Sequence, residues 1–133
     1  MPTLFEKLNL KNQKEILVLD APESFEPQLA RLGGVRVLRK LAEAKEVGFA
    51  LAFVTCQADL DRISERLVKK AVSDALLWIA YPKGTSRRYT CDFNRDTGFA
   101  TLRQLGFDSV RQVAIDEDWS ALRFRRSEHI KAK

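Results

Sequence analysis

Three runs of apolar residues divide the chain, at residues 15–20 (EILVLD), 49–54 (FALAFV) and 75–81 (ALLWIAY). Their apolarity is continuous rather than alternating. This pattern is typical of strands covered on both faces, as in the centre of a parallel sheet. A further short strand is predicted at residues 35–38.

Polar segments between these strands predict helices. The strongest helical pattern covers residues 57–72, where Leu60, Ile63 and Leu67 recur at helical spacing and charged residues cover the opposite side. Weaker helical patterns are found at residues 27–32, 39–46 and 96–105. Strands and helices therefore alternate, which indicates parallel strands joined by helical crossovers.

Two more strands are predicted near the end of the chain, at residues 110–115 and 121–126. The turn around residues 116–119 is too short for a parallel crossover, so these strands must form an antiparallel hairpin. We therefore expect one α/β domain over residues 1–133, with a doubly wound, mostly parallel, Rossmann-like sheet of about six strands. Residues 1–14 and 127–133 are expected to be loosely ordered.

Composition narrows the possible functions. The chain has 133 residues, a net charge of +5 and a pI near 9.4, which favours an anionic partner. Its basic residues are scattered, so nucleic-acid binding is only weakly supported. Two cysteines and a single histidine, His129, exclude a disulfide scaffold, most metal sites and a Ser–His or Cys–His nucleophile. No signal peptide or membrane span is evident, and a cytoplasmic protein without a membrane partner is expected.

The best candidate site is the segment of residues 82–89 (PKGTSRRY), here called the basic loop. It follows the carboxyl end of a predicted parallel strand, where open α/β sheets bind ligands. Arginine can grip an anionic group with two parallel hydrogen bonds, and hydroxyl groups can add more, but the spacing is not that of a P-loop. The alternative is a solvated connection. The candidate ligand-binding residues are Asp20, Lys83, Thr85, Ser86, Arg87 and Arg88.

Other charged groups have simpler interpretations. Asp20 and Glu23 could act as an acid–base pair, but no partner nucleophile accompanies them. The acidic tip at residues 116–118 is interpreted as a solvated turn, and Cys56 as a structural residue. Arginines at 123, 125 and 126 protect an edge strand, or join the basic loop in binding a polyanion. No catalytic residue and no metal ligand is assigned.

The last three-quarters of the chain resembles the second half of a class I methyltransferase domain. In that family a strand and helix are followed by a strand, a Pro/Gly loop, another helix and a terminal hairpin. The matching pieces here are residues 49–54, 57–72, 75–81, 96–105 and 106–126. The resemblance implies a methyltransferase-like fold.

A more specific resemblance is to a family of small bacterial proteins classed as a domain of unknown function. Its members carry a Leu-Trp-Ile-like strand that runs into Pro-Lys, and a hairpin containing Asp-Trp-Ser-Ala-x-Arg. This chain has Leu-Trp-Ile at residues 77–79, Pro-Lys at 82–83 and Asp-Trp-Ser-Ala-Leu-Arg at 118–123. The resemblance names a family without an activity to carry over.

The turn after the first strand departs from the methyltransferase pattern. Methyltransferases bind S-adenosylmethionine at a glycine-rich turn, because only glycine lets the backbone bend sharply and approach the ligand. Here residues 20–25 read DAPESF, without glycine, and Pro22 lacks a backbone donor. Arg39 stands where the family has a ribose-binding acid. No cofactor is therefore expected.

Three functions follow from these observations. The leading hypothesis is a non-catalytic binding module for an anionic ligand or a protein partner. The alternatives are a divergent methyltransferase-like enzyme and a weak nucleic-acid binding protein. The oligomeric state is left open.

Overall fold

The fold is organised around one sheet of six strands, seen in a computed structural model that describes residues 4–10, 13–93 and 97–130, without the side chain of Ser73. The strands are β1 (Glu15–Leu19), β2 (Arg36–Leu38), β3 (Val47–Phe53), β4 (Ala71–Pro82), β5 (Phe107–Ala114) and β6 (Trp119–Arg126). Their order across the sheet is β2-β1-β3-β4-β6-β5. The described helices are α1 (Leu4–Lys7), α2 (Glu26–Ala30), α3 (Gln57–Lys70) and α4 (Ala100–Gln104).

Strand pairing confirms the predicted fold class. β1 pairs in parallel with β2 and β3, and β3 pairs in parallel with β4. β6 then pairs antiparallel with both β4 and β5, so the last strand lies inside the sheet and β5 forms its edge. Burial follows this order, since most of β6 is buried whereas β5 is exposed over its middle.

The helices are shorter than their patterns predict. α3 ends at Lys70 rather than at residue 72, because Ala71 turns to extended backbone and pairs with Val47 as the start of β4. Residues 39–46 form only one 3-10 turn, at Leu41–Glu43. α4 begins at Ala100, and the predicted cap Asp96 lies outside the described residues. At the end of α3, sheet pairing thus overrides the local helical preference.

Two hydrophobic cores cover the two faces of the sheet, as the doubly wound prediction requires. On one face, α3 packs through Leu60, Ile63 and Leu67 against strand residues such as Leu77 and Ile79. On the other face, α1 and α2 pack against β1, β3 and β4. Alternation along each strand supplies both cores, which explains why β3 and β4 are apolar throughout.

Trp78 fastens the N-terminal residues to the second core. Its ring is fully buried in β4, and its indole Nε1 donates a hydrogen bond to the Leu8 carbonyl oxygen at 3.0 Å. Phe5 and Leu8 are themselves buried in this core. Within the N-terminal segment expected to be loosely ordered, residues 4–10 therefore contribute to the packing.

The Trp78 bond can be tested against a second tryptophan. We expect Trp78→Phe to destabilise the protein by about 1–3 kcal/mol more than Trp119→Phe, because it leaves a buried carbonyl without its donor. Trp119 is equally buried, but its indole nitrogen has no hydrogen-bond partner, so the same substitution there removes no bond. Urea unfolding followed by circular dichroism gives both values, and equal costs would contradict the prediction.

Candidate functional site

The basic loop is held against the tip of the hairpin by hydrogen bonds. The Lys83 amide donates to the Asp118 carbonyl oxygen at 2.8 Å. The Ser86 hydroxyl donates to the Asp118 carboxylate at 2.9 Å, and the same hydroxyl accepts from the Tyr89 amide at 3.2 Å. The Ser86 side chain thus joins the loop to the hairpin and closes a turn within the loop.

Aromatic contacts carry the chain onward across the carboxyl edge of the sheet. The Tyr89 ring lies 4.8 Å from that of Trp119, on the face covered by α1 and α2. Phe93 lies on the opposite face, 6.0 Å from Tyr81 and 5.7 Å from Phe99. The segment from the basic loop to Phe93 therefore crosses the edge where open α/β sheets bind ligands.

The structure brings three of the predicted residues together. Thr85, Arg87 and Arg88 line one hollow of about 370 Å³, which they share with Glu117 and Asp118. Both arginines are exposed to solvent, and neither forms a salt bridge within the described part of the chain. These three side chains are therefore available to a ligand in one place.

Two predicted residues lie elsewhere. Lys83 lines a neighbouring hollow of about 520 Å³ together with Tyr81 and Gln112. Asp20 follows β1, and β1 is separated from β4 by β3 in the sheet. At about 4.8 Å per strand, this separation places Asp20 about 10 Å to the side of the basic loop.

The three residues of the acidic tip, at positions 116–118, have different roles. The Asp116 carboxylate accepts hydrogen bonds from the backbone amides of Asp118 and Trp119, at 2.8 and 2.9 Å, and shapes the turn. Asp118 holds Ser86, as described above, and Glu117 is exposed. The first hollow consequently contains two guanidinium groups and two carboxylates.

The turn after β1 is built from residues other than glycine. Asp20 adopts a φ of 55°, in the left-handed region that glycine normally occupies. Phe25, five residues later, is buried and lies 5.0 Å from the ring of Phe53. An aromatic side chain of the protein therefore anchors this turn in the core.

Arg39, at the end of β2, is paired with a carboxylate from α2. Its guanidinium donates two hydrogen bonds to Glu26, at 2.8 and 2.7 Å. These hydrogen bonds lower the pKa of Glu26 and raise that of Arg39. Both side chains are about half exposed, so solvent screening keeps the energetic effect small.

The N-terminus of α3 is closed by Asp92. The Asp92 carboxylate accepts a hydrogen bond from the Gln57 amide at 2.6 Å. A carboxylate is stabilised at this end of a helix by the free amide groups and the helix dipole. The Gln57 side chain also donates hydrogen bonds to Asp61 and to the Gly98 carbonyl oxygen. The residues just before α4 are therefore joined to the N-terminus of α3 as well.

The two cysteines flank this capped helix end. Cys56 precedes α3 and makes no capping hydrogen bond through its side chain. Burial raises the pKa of the Cys91 thiol, which disfavours its thiolate form. Neither observation points to a nucleophile, and the structural interpretation of Cys56 stays a prediction.

The described residues also limit other kinds of site. Within residues 4–10, 13–93 and 97–130, no three His, Cys, Asp or Glu side chains are grouped so that they could hold a metal ion. Among the same residues, no helix has the length and apolarity needed to traverse a bilayer.

The capping role of Asp92 could not be predicted from the sequence. The reason is physical, because the carboxylate and the amide it accepts from are 35 positions apart. An acid in a loop carries no local signal of the helix it will cap. The contribution of Glu117 and Asp118 to the same hollow as the arginines was missed for the same reason.

The chain matches no family model and no curated protein. Solved structures share its fold. A SAM dependent methyltransferase from Aquifex aeolicus is similar with a TM-score of 0.61 at 15% identity, covering 92% of this chain and 87% of that one. N-methyltransferase NodS from Bradyrhizobium japonicum WM9 gives 0.53 at 17% identity, over 85% of this chain and 74% of NodS.

A third similar structure is LepI in complex with SAM, with a TM-score of 0.54 at 12% identity, over 92% of this chain and 39% of LepI. At such identities the likeness shows the fold alone. The chain therefore has a methyltransferase-like α/β fold, which confirms the fold class that the resemblance implied.

The capping role of Asp92 predicts the effect of removing it. We expect Asp92→Ala to destabilise the protein by about 0.5–2 kcal/mol, because the Gln57 amide and the helix dipole lose their carboxylate. Hydrogen exchange should also become faster in residues 83–93. Glu65→Ala removes one exposed carboxylate from the middle of α3 and serves as the control. Equal stability of the two variants would rule out the cap.

Proposed function

We propose that this chain is a non-catalytic binding module on a methyltransferase-like scaffold, and that it holds an anionic group at the basic loop. The observation that carries the proposal is a loop fixed by hydrogen bonds to the hairpin, while Arg87 and Arg88 stay exposed and form no salt bridge with any described residue. Guanidinium groups of this kind bind carboxylate or phosphate through paired hydrogen bonds.

The anchoring of the loop favours binding. A flexible loop loses conformational entropy when it closes on a ligand, and a loop that is already held loses less. Ser86 and Tyr89 supply this anchoring through Asp118 and Trp119. Ser86 therefore acts by positioning its neighbours, whereas the exposed hydroxyl of Thr85 can donate to the ligand.

The carboxylates in the hollow restrict the ligand. Glu117 and Asp118 line the same space as the two arginines, so a long polyanion would meet repulsion as well as attraction. A ligand with one anionic group and a hydrogen-bond donor or positive charge beside it fits this mixture better. Nucleic-acid binding is accordingly a weaker proposal than a small anionic ligand or an acidic side chain of a protein partner.

The two candidate residues that lie outside the first hollow, Lys83 and Asp20, have different roles in this proposal. Lys83 would contact a ligand large enough to extend into the neighbouring hollow beside Tyr81 and Gln112. Asp20 lies about two strand spacings away, so we assign it no contact with a ligand at the basic loop.

Thermal unfolding in the presence of phosphate or a nucleoside monophosphate tests the proposal. We expect stabilisation by roughly 4 °C at a ligand concentration about ten times Kd, because a ligand that binds only the folded state shifts unfolding by mass action. The double variant Arg87→Ala/Arg88→Ala should show a clearly smaller shift than the wild type, because it loses the contribution of the basic loop. Both side chains are exposed, so the variant is expected to fold.

The control variant Arg66→Ala/Lys69→Ala removes two positive charges from the exposed side of α3. It should retain the full ligand-dependent shift, since only the net charge has changed. If the wild type shows no shift, or if both double variants lose it equally, binding at the basic loop is wrong.

A second candidate, a methyltransferase-like enzyme, is supported by the fold of the similar structures. The residues present do not fit S-adenosylmethionine. Pro22 offers no amide in the turn after β1, and Phe25 of that turn is packed in the core. Arg39 pairs with Glu26 where an acid would hold the ribose.

Calorimetric titration with S-adenosylmethionine separates the two candidates. We expect no measurable heat of binding up to about 1 mM ligand, where even a weak site would be detected. Saturable binding with one site per chain would place the enzyme ahead of the binding module.

A further inference from the structure

On the face of the sheet that carries α1 and α2, the middle of the edge strand β5 is exposed to solvent. Register places Trp78 of β4, Arg123 of β6 and Arg111 of β5 side by side in one row across the three strands. Trp78 is fully buried beneath the residues after α1, Arg123 is half-buried, and Arg111 is exposed. The two arginines therefore lie where the helical cover ends and solvent begins.

The arrangement sets two like charges directly opposite each other. Such cross-strand pairs are destabilising, since opposed positions place their Cβ atoms about 5 Å apart. Arg123 carries a second cost, because its Nε is buried and has no hydrogen-bond partner among the residues that the structure describes. Burial, and after it the charge of Arg125, lowers the pKa of Arg123, with Asp74 acting in the opposite sense and Arg111 adding to the lowering.

The neighbouring carboxylates are already engaged. Asp74 forms a two-point salt bridge with Arg125, at 2.8 and 2.9 Å. Asp108 lies opposite Arg125 and accepts a hydrogen bond from the Ser127 hydroxyl at 2.7 Å. Within the described residues, Arg111 and Arg123 therefore form no salt bridge of their own.

We propose that Arg111 and Arg123 form a second anion site, separate from the basic loop, that takes a single tetrahedral dianion of the phosphate type. Two guanidinium groups on opposed positions can converge on one such group, and a shift of the Arg123 side chain toward the anion would give its unbonded Nε an acceptor. The anion also converts a repulsive pair into two attractive ones.

The surroundings favour a small dianion over larger partners. Asp108, opposite Arg125, and Glu128, just after β6, place negative charge beside the site, which disfavours an extended polyanion. A second copy of the chain that packed symmetrically on this face would bring its own two arginines against these, and the like charges would repel. The basic loop contacts Trp119, four residues before Arg123 on β6, so the two sites are about 14 Å apart along the strand.

Nuclear magnetic resonance of the arginine Nε–H groups gives a local measurement. Inorganic phosphate is titrated into the labelled protein at constant ionic strength, followed by phosphoserine as a small phosphate monoester. We expect a saturable shift of the Arg123 Nε–H signal with both ligands. A shift with inorganic phosphate alone would identify the free ion as the ligand, and a stronger response to phosphoserine would identify a phosphorylated side chain.

Substitutions test which arginines bind the phosphate. Arg111→Ala should weaken phosphate binding about tenfold or more, as the loss of a charge-assisted hydrogen-bonding group predicts. Arg103→Ala removes an exposed arginine from α4 and should leave binding unchanged. Arg123→Lys keeps the charge but removes the Nε–H, and should weaken binding even where the protein is fully folded.

The same titration separates this site from the proposed function. The variant Arg87→Ala/Arg88→Ala should retain the Arg123 shift, whether or not the basic loop binds an anion. A shift that does not saturate by about 10 mM phosphate, or equal affinities of Arg111→Ala and Arg103→Ala, would overturn the second site. Arg111 would then serve only to keep the edge strand β5 from pairing with other chains.

Discussion

The structure depends on the burial of residues 75–82 of β4, on both faces and along both edges. Residues 76–80 pair in parallel with β3 on one side, and residues 77–82 pair antiparallel with β6 on the other. Leu77 and Ile79 face one core, and Trp78 faces the other. A strand enclosed in this way cannot leave unpaired amide groups, so the hairpin must fold back to place β6 against it.

The position of the basic loop follows from that enclosure. The end of β4 at Pro82 lies opposite Trp119, the first residue of β6. The chain leaving β4 therefore meets the hairpin tip at once, and Asp118 is in place to accept from Lys83 and Ser86. Rigidity of the loop is thus a consequence of sheet order, and the exposed arginines are presented by a fixed backbone.

Patterns along the chain were sufficient to predict the strands and their class. Continuous apolar runs arise because both faces of a central strand are buried, and this property is local. The extension of β4 back to Ala71 was not predictable, because it depends on pairing with Val47 and not on the helical pattern around it. Helix ends are therefore decided by partners that a single segment does not reveal.

The site was predictable only in part, for a related reason. Residue types indicated an anion site, and Thr85, Arg87 and Arg88 do line one hollow because they are close in sequence. The carboxylates beside them belong to the hairpin, and Lys83 lines a different hollow. Contacts of Asp92 with Gln57, and of Arg39 with Glu26, likewise join residues that only the fold brings together.

This chain has a methyltransferase-like fold, but it differs at the positions where an open α/β sheet usually holds its ligand. A ligand at the carboxyl edge of an open α/β sheet is held by the turn after β1, by a side chain after the next strand and by helix amides. In this chain Phe25, from the turn after β1, is packed in the core, and Arg39, after β2, is paired with Glu26. Asp92 accepts a hydrogen bond from an amide of α3. With these groups engaged by the protein itself, the unengaged basic groups lie farther out, at the basic loop and on the hairpin. A binding role of the kind proposed above would therefore lie on the antiparallel side of the sheet rather than at its centre.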